Sequence, residues 1–96
     1  GRVAMERVWA VTRSDQKITG SCTTDCSALF WKQPGDLSAV MDALCRSLDI
    51  AHPVWLGKHS RDMDAFGRTV FFGDDFVEPI IFDTLELEYI AENRQA

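Results

Sequence analysis

Two cysteines and two histidines are the residues of this 96-residue chain best suited to metal chemistry: Cys22, Cys26, His52 and His59. Thiolates and imidazoles are the ligands that structural zinc sites use. The spacing is poor, because the CxxC knuckle is absent and the four side chains would have to converge from a strand, its exit and a loop. Free cysteine also packs as a small hydrophobe. We therefore predict no metal site, with a small zinc-binding protein as the alternative.

The basic residues cluster beside Trp55, where Lys58, His59, Arg61 and Arg68 follow one another on a chain of net charge -5. Such a patch could hold an anionic group or an acidic partner through charge-assisted hydrogen bonds. It could equally neutralise carboxylates of the protein itself. These five residues are the candidate contact residues.

Acid-base or nucleophilic catalysis has weaker support. His59 and Ser60 are neighbours, and Asp62 and Asp64 follow, but adjacency along a chain is not the geometry of a catalytic triad. A helix-capping serine and solvated acids explain the same residues. Glycine-rich phosphate-binding motifs are absent. We predict that the protein is not an enzyme and has no cofactor.

Composition narrows the class of protein further. Fifteen Asp and Glu against ten Lys and Arg repel a phosphate backbone, which argues against nucleic acid. No apolar run approaches the roughly 20 residues that span a bilayer. Three cysteines are an odd number for a disulfide framework and fit a reducing cytoplasm. We predict one cytoplasmic domain over residues 5–91, with flexible ends at 1–4 and 92–96.

The first half of the chain predicts a β-hairpin and a helix. Residues 7–13 and 17–24 are rich in strand-forming residues around a short polar break, and Gly20 suggests a bulge or a close backbone approach. Asp36 is placed to cap a helix over 36–49. Its apolar stripe has helical spacing and comprises Leu37, Val40, Met41, Leu44, Cys45 and Leu48. This stripe should face the core.

The second half predicts shorter elements. Pro53 should end the helix, and one turn over 61–66 should close at Gly67. Strands are expected over 68–72 and 83–90, the latter alternating leucine and tyrosine against glutamate. The aromatic residues are expected mainly in the core, although alternation puts Phe71 and Phe72 on opposite faces, so that one of them could serve a contact surface.

This order of elements predicts an α+β fold of the β-grasp, or ubiquitin-like, type. In that arrangement one main helix crosses one face of a mixed sheet, and a long crossover brings the last strand beside the first. A ferredoxin-like fold would need a second long helix, and residues 61–66 are too few for one.

Two segments, "LDIAHPVWLGKHSRDMDAFGRTVF" and "DDFVEPIIFDTLELEYI", resemble a family of small uncharacterised bacterial proteins. The resemblance lies in a helix ending in Leu-Asp, a Pro-x-Trp-Leu step at Pro53 to Leu56, the spacing of Phe66 and Phe71, and a Phe-Asp-x-Leu-Glu-Leu strand at Phe82 to Leu87. It implies a recurrent small domain and no particular reaction or ligand.

These patterns together favour a protein-binding module without catalytic activity. Its expected working surfaces are an exposed sheet edge, which offers unpaired backbone groups to a protein partner or a second copy, and the loop from Pro53 to Arg61.

Overall fold

A computed structural model describes residues 5–92. The predicted flexible ends lie outside this range, apart from residue 92, which ends the last strand. The elements are β1 (Met5–Ser14), β2 (Lys17–Asp25), α1 (Pro34–Leu48), α2 (Gly57–Phe66), β3 (Arg68–Phe71) and β4 (Thr84–Glu92), with one-turn 3-10 helices at Phe30–Lys32 and Gly73–Asp75. The chain is therefore α+β, as the sequence predicts.

The hairpin of β1 and β2 forms as predicted. Its two-residue turn places Asp15 and Gln16 at φ 51° and 69°, the left-handed geometry that matches the twist of a hairpin. The register shifts between Thr12, opposite Gly20, and Arg13, opposite Ile18, so the bulge suggested by Gly20 is present. Because the extra residue reverses the alternation, Ile18 lies on the opposite face from Gly20.

Helix α1 places its predicted stripe in the core, with Val40, Met41, Leu44 and Cys45 buried. Its start differs from the prediction, because Gln33 is the N-cap and Pro34 opens the first turn. Asp36 lies within that turn and accepts a hydrogen bond from Ser27 Oγ at 2.8 Å. The helix ends at Leu48, and Asp49 is its C-cap with a left-handed φ of 56°. Pro53, which was predicted to end the helix, lies beyond this cap.

Helix α2 is longer than the single turn expected over 61–66. It spans ten residues from Gly57, and Leu56 rather than Ser60 is its N-cap. Gly67 ends it at φ 69°, as predicted. Both remaining strands form, but their ends differ from the predictions over 68–72 and 83–90: β3 stops at Phe71, and β4 begins at Thr84 and continues to Glu92.

The strand order is β2-β1-β4-β3, and each pairing is antiparallel. The first and last strands are neighbours as expected, but the predicted mixed sheet is wrong and the β-grasp arrangement is not confirmed. The reason is α2. With one helix after β2, the last strand would run parallel to β1. A second helix of ten residues, about 15 Å long, returns the chain across the sheet and reverses both following strands.

Both helices cover one face of the sheet. The core between them combines apolar side chains of the strands, the helices and the connections: Val8, Ala10, Phe30, Trp31, Val40, Met41, Leu44, Cys45, Met63, Phe71, Phe76, Phe82, Leu85 and Leu87. On the other face Glu86 pairs with Arg13 at 3.0 Å and with Arg68 at 3.8 Å. Within residues 5–92 no helix is long and apolar enough to cross a membrane.

Candidate binding surface

Strand β3 forms one edge of the sheet, directly after α2. The N–H group of Tyr89 donates to the carbonyl of Gly67 at 2.7 Å, which identifies these two residues as a hydrogen-bonded antiparallel pair. Such pairs alternate along a ladder. The N–H and C=O groups of Arg68 and Val70 therefore point away from β4, toward the open edge.

Exposed phenylalanines stand at both ends of this edge. Phe66 is the last residue of α2 and 73% exposed, and Phe72 follows β3 and is 54% exposed. Both border an open cavity of about 490 Å³. Lys58, Asp62, Arg68, Thr69 and Val70 line the same cavity, so that one carboxylate stands beside the two cations. The two phenylalanines together with Lys58, Arg68 and Val70 are what we call the β3 surface.

Two cations, Lys58 and Arg68, line the β3 surface, and Arg61 lies on α2 outside the cavity lining. Lys58 Nζ is 3.2 Å from Asp75 Oδ1, and the guanidinium of Arg68 is 3.8 Å from Glu86. Arg61 is exposed and has no ion pair among the described residues. The basic cluster therefore fits both alternatives that the sequence left open. Lys58 and Arg68 neutralise carboxylates of the protein, and the exposed parts of the cluster are accessible to an anionic partner.

The two other predicted contact residues lie beneath this surface. His59 has no exposed area, and its ring stacks on Phe71 with a centroid separation of 4.1 Å. Trp55 packs against both rings, at 5.7 Å from His59 and 5.6 Å from Phe71, and its Nε1–H donates to Ser60 Oγ at 2.8 Å. Both residues support the surface from inside, and His59 cannot touch a partner in this conformation.

The electrostatics around His59 follow from its burial. Desolvation lowers the pKa of the imidazole below its ordinary 6.5, while Asp75 opposes this shift and Lys58 adds to it. Burial alone would raise the pKa of the Asp75 carboxyl, but a hydrogen bond from the Phe72 N–H and the Lys58 ammonium together hold it below its ordinary value. At neutral pH the pair is therefore a neutral imidazole facing an ionised carboxylate.

General-base catalysis by His59 is disfavoured by this arrangement. Nδ1 accepts the Leu56 N–H at 2.9 Å, and Nε2 faces Asp75 Oδ2 at 3.7 Å. Both nitrogens thus face groups of the protein itself and the ring has no exposed area, whereas a general base must reach the proton that it takes.

The four residues considered for zinc are not brought together. Cys22 lies on β2 under α1, with its thiol 3.8 Å from the Leu44 carbonyl, while His59 packs on β3 at the opposite edge, three strand spacings or about 14 Å away. His52 is on the surface, 3.4 Å from Asp42. No group of three or more potential ligands could hold a metal ion within residues 5–92.

Two of the thiols have raised pKa values. Burial, with Glu6 and Asp25 nearby, raises the pKa of Cys26 to about 11. Burial, with Asp42 nearby, raises that of Cys45 to about 11. Since the thiolate is the reactive and metal-binding form, neither residue is an activated nucleophile.

Another open cavity, of about 600 Å³, lies between the hairpin turn, the end of α1 and residues 78–82. Its apolar wall includes Leu48, Ile50 and Ile80. Two of its hydroxyls pair with each other, since Thr12 Oγ1 and Thr19 Oγ1 are 2.9 Å apart. It offers no cation and no unpartnered buried polar group to orient a ligand.

The sequence reasoning missed part of the β3 surface. Phe66 was expected mainly in the core, and the position of Val70 on an open edge was not foreseen. A usable signal existed for Phe72, because alternation along β3 puts it opposite the buried Phe71. No such signal existed for Phe66, which continues the helical spacing of the buried His59 and Met63 and is nevertheless exposed.

Comparison with protein-family models, with curated proteins and with solved structures finds no match to this chain. The resemblance to small uncharacterised bacterial proteins therefore stays a prediction. What this chain binds has to be inferred from its own residues.

Proposed function

We propose that this protein is a protein-interaction module without catalytic activity, and that it binds an extended, acidic segment of a partner along β3. The partner segment adds a strand to the sheet edge, so that its backbone pairs with Arg68 and Val70. The observation that carries the proposal is the pair of exposed phenylalanines, Phe66 and Phe72, at the two ends of an open edge.

The chemistry of the partner follows from the charges. Lys58 and Arg68 line this surface with side chains that are 51% and 57% exposed, on a chain of net charge -5, so we expect carboxylates to be favoured here over other surfaces of the same protein. Strand addition supplies affinity through main-chain hydrogen bonds, while side chains at alternate positions supply selectivity. The phenylalanines then contact apolar side chains of the partner. Because β3 has four residues, we expect a small interface and weak, rapidly reversible binding.

The test is fluorescence anisotropy with a labelled ten-residue peptide of alternating valine and glutamate, compared with the same peptide carrying lysine in place of glutamate. The acidic peptide should bind, and added salt should weaken it. Phe72→Asp and Arg68→Glu should each lower its affinity about tenfold or more, which corresponds to about 1.4 kcal/mol.

Ile18→Asp is the matched control, because Ile18 is 53% exposed but lies on β2, at the other edge. It should leave binding unchanged. The proposal is wrong if neither peptide binds, if the lysine peptide binds equally well, or if Ile18→Asp and Phe72→Asp have the same effect. Sedimentation of the chain alone adds one outcome: a dimer that Phe72→Asp abolishes would identify a second copy, rather than an acidic partner, as the occupant of the edge.

The zinc-binding alternative gains no support from the positions of its four ligands, which lie on opposite edges of the sheet and on the surface. Elemental analysis of untagged protein tests it directly. Stoichiometric zinc that is lost in Cys22→Ser would favour this alternative over the interaction module.

A further inference from the structure

Two helical segments are capped by side chains that face each other. At the start of α2, His59 Nδ1 accepts the N–H of Leu56 at 2.9 Å. At the start of the 3-10 helix Gly73–Asp75, Asp75 Oδ2 accepts the N–H of Phe72 at 2.9 Å. Both acceptors are the third residue of their helix, the position that glutamate or glutamine fills in a capping box. One segment precedes β3 and the other follows it.

The hydrogen bond to Nδ1 fixes the protonation state of the ring. A nitrogen that accepts a backbone N–H carries no proton, so the neutral ring has its proton on Nε2. Nε2 is buried without a hydrogen-bond partner among the described residues, and it faces Asp75 Oδ2 at 3.7 Å. The imidazole therefore caps α2 through Nδ1, while its Nε2 faces Asp75, the residue that caps the 3-10 helix.

We propose that His59 is a titratable helix cap, which holds the start of α2 when neutral and releases it when protonated. Imidazolium has two N–H donors and no acceptor. A proton on Nδ1 would meet the N–H of Leu56 head-on, so the ring must turn and the backbone donor loses its partner. The charged ring gains attraction to Asp75 at the same time. This inference concerns the fold and stands whether or not the β3 surface binds a partner.

The surroundings of His59 define the direction of the response. The charged groups near His59 are Lys58 and Asp62 on α2 and Asp75 on the 3-10 helix. Its ring neighbours are Phe71 on β3 and Trp55 in the loop before α2. Burial outweighs the acids, so the pKa of His59 lies below its unfolded value of about 6.5. Because the unfolded chain then binds more protons, the cap contributes fully above pH 6.5. It weakens as pH falls from there toward the folded pKa.

Acid should therefore loosen both borders of the β3 surface. Without the hydrogen bond from Leu56 to His59, the backbone of the first turn of α2, which includes Lys58, is less firmly held. Asp75 then interacts with the imidazolium and less with Lys58 and the Phe72 N–H. The affected backbone lies within residues 55–60 and 72–75.

Heteronuclear NMR of the intact chain tests the protonation state directly. Long-range proton–nitrogen spectra at neutral pH should show His59 with a bare Nδ1 and a protonated Nε2. The opposite tautomer would overturn the proposal, because Nδ1–H cannot accept the Leu56 N–H. On acidification, the amide of Leu56 should lose protection from exchange together with the titration of His59.

Urea unfolding between pH 7 and pH 4 supplies the second readout. His59→Gln keeps a side-chain acceptor at the capping position but cannot titrate in this range, while His52→Gln removes the exposed histidine. The unfolding constant of the wild type should rise with acid by up to tenfold per pH unit more than that of His59→Gln. His52→Gln should behave like the wild type. Equal slopes for the wild type and His59→Gln would refute the titratable cap.

Asp75→Asn keeps the test decisive if His59→Gln does not fold. The amide oxygen can still accept the Phe72 N–H, but the charge that favours imidazolium is gone. The NMR titration midpoint of His59 should shift to lower pH in this variant. An unchanged midpoint would show that the two caps are not coupled.

Discussion

The two edges of the sheet are built differently. The β2 edge is nine residues long, and between Ser21 and Asp25 its side chains alternate between an exposed row and a half-buried row under α1. The β3 edge has four residues, yet exposed phenylalanines border it and a buried aromatic and ionisable cluster lies beneath it. On β2, exposed polar residues and a bulge are features that discourage pairing with other chains. The shortness of β3 and the charge of Arg68 act in the same direction, but β3 pairs with β4 without a bulge and has exposed phenylalanines at both ends.

This contrast indicates which edge is suited to a partner. Length alone would favour β2, because more of its backbone groups are unpaired. Side-chain chemistry favours β3, because Phe66 and Phe72 place exposed aromatic surface at both of its ends. Variants that separate the two edges can therefore strengthen or refute the comparison.

The largest effect is expected from Phe71→Ala. Phe71 is 0% exposed and contacts His59 and Trp55, so its truncation leaves a cavity under β3 and should cost about 3 to 5 kcal/mol in the free energy of unfolding. Phe72→Ala removes the same side chain from the exposed neighbouring position and should cost less than about 1 kcal/mol. Urea unfolding measures both. Equal losses would mean that β3 is not anchored by its inner face.

A smaller effect is expected from Asp75→Ala. This change leaves the Phe72 N–H and the Lys58 ammonium without their carboxylate partner, and it should cost about 1 to 3 kcal/mol. Asp75→Asn keeps an acceptor and should cost less. Because the folded pKa of Asp75 is depressed, its contribution is full above about pH 3.8 and declines as pH falls through the folded pKa. Unfolding curves at pH 7 and below pH 3.8 should show the gap between wild type and Asp75→Ala closing only at the lower pH, where the Asp75 carboxylate is protonated.

The smallest effect concerns the bulge on β2. A Cβ at Gly20 would lie 3.0 Å from Thr12 Oγ1 and 3.4 Å from Leu48 Cδ2, so Gly20→Ala should destabilise the protein by about 1 kcal/mol through crowding. Gly35→Ala in α1 meets nothing within 4 Å and should be neutral or slightly stabilising, since alanine favours helix. Thermal unfolding of both variants checks this. A stabilised Gly20→Ala would show that the bulge can relax at no cost.

Periodic segments could be predicted from the sequence. The stripe of α1 and the alternation of β4 each repeat one chemical pattern over several turns or residues, so burial of one face followed from spacing alone. The hairpin was predictable as well, because two strand-forming segments flank a short polar break. Where a position depended on a single local feature, the prediction was less accurate, as at Asp36, which lies inside the first turn of α1 rather than before it.

The candidate site was predictable only in part. The basic cluster was visible as composition, and its two arginines, Arg61 and Arg68, are on the surface. The burial of His59 could not be predicted, because histidine is common both on surfaces and in interiors. Its capping of α2 could not be predicted either, because that requires the N–H of Leu56 to lie within hydrogen-bonding distance. Asp75, distant in the chain from His59, could not be linked to it without the packing of the 3-10 helix against α2.

What the sequence determined by itself is therefore local: which segments are helix or strand, and which of their faces are apolar. The tertiary structure decided the rest through α2. A segment read as one turn is a helix of ten residues, held at its start by a buried imidazole, and its extra length returns the chain across the sheet. That return makes β4 antiparallel to β1, puts β3 at an edge and brings Lys58 beside it. Spacing in a sequence specifies which face a residue takes, whereas the direction of a strand depends on how far the preceding elements carry the chain.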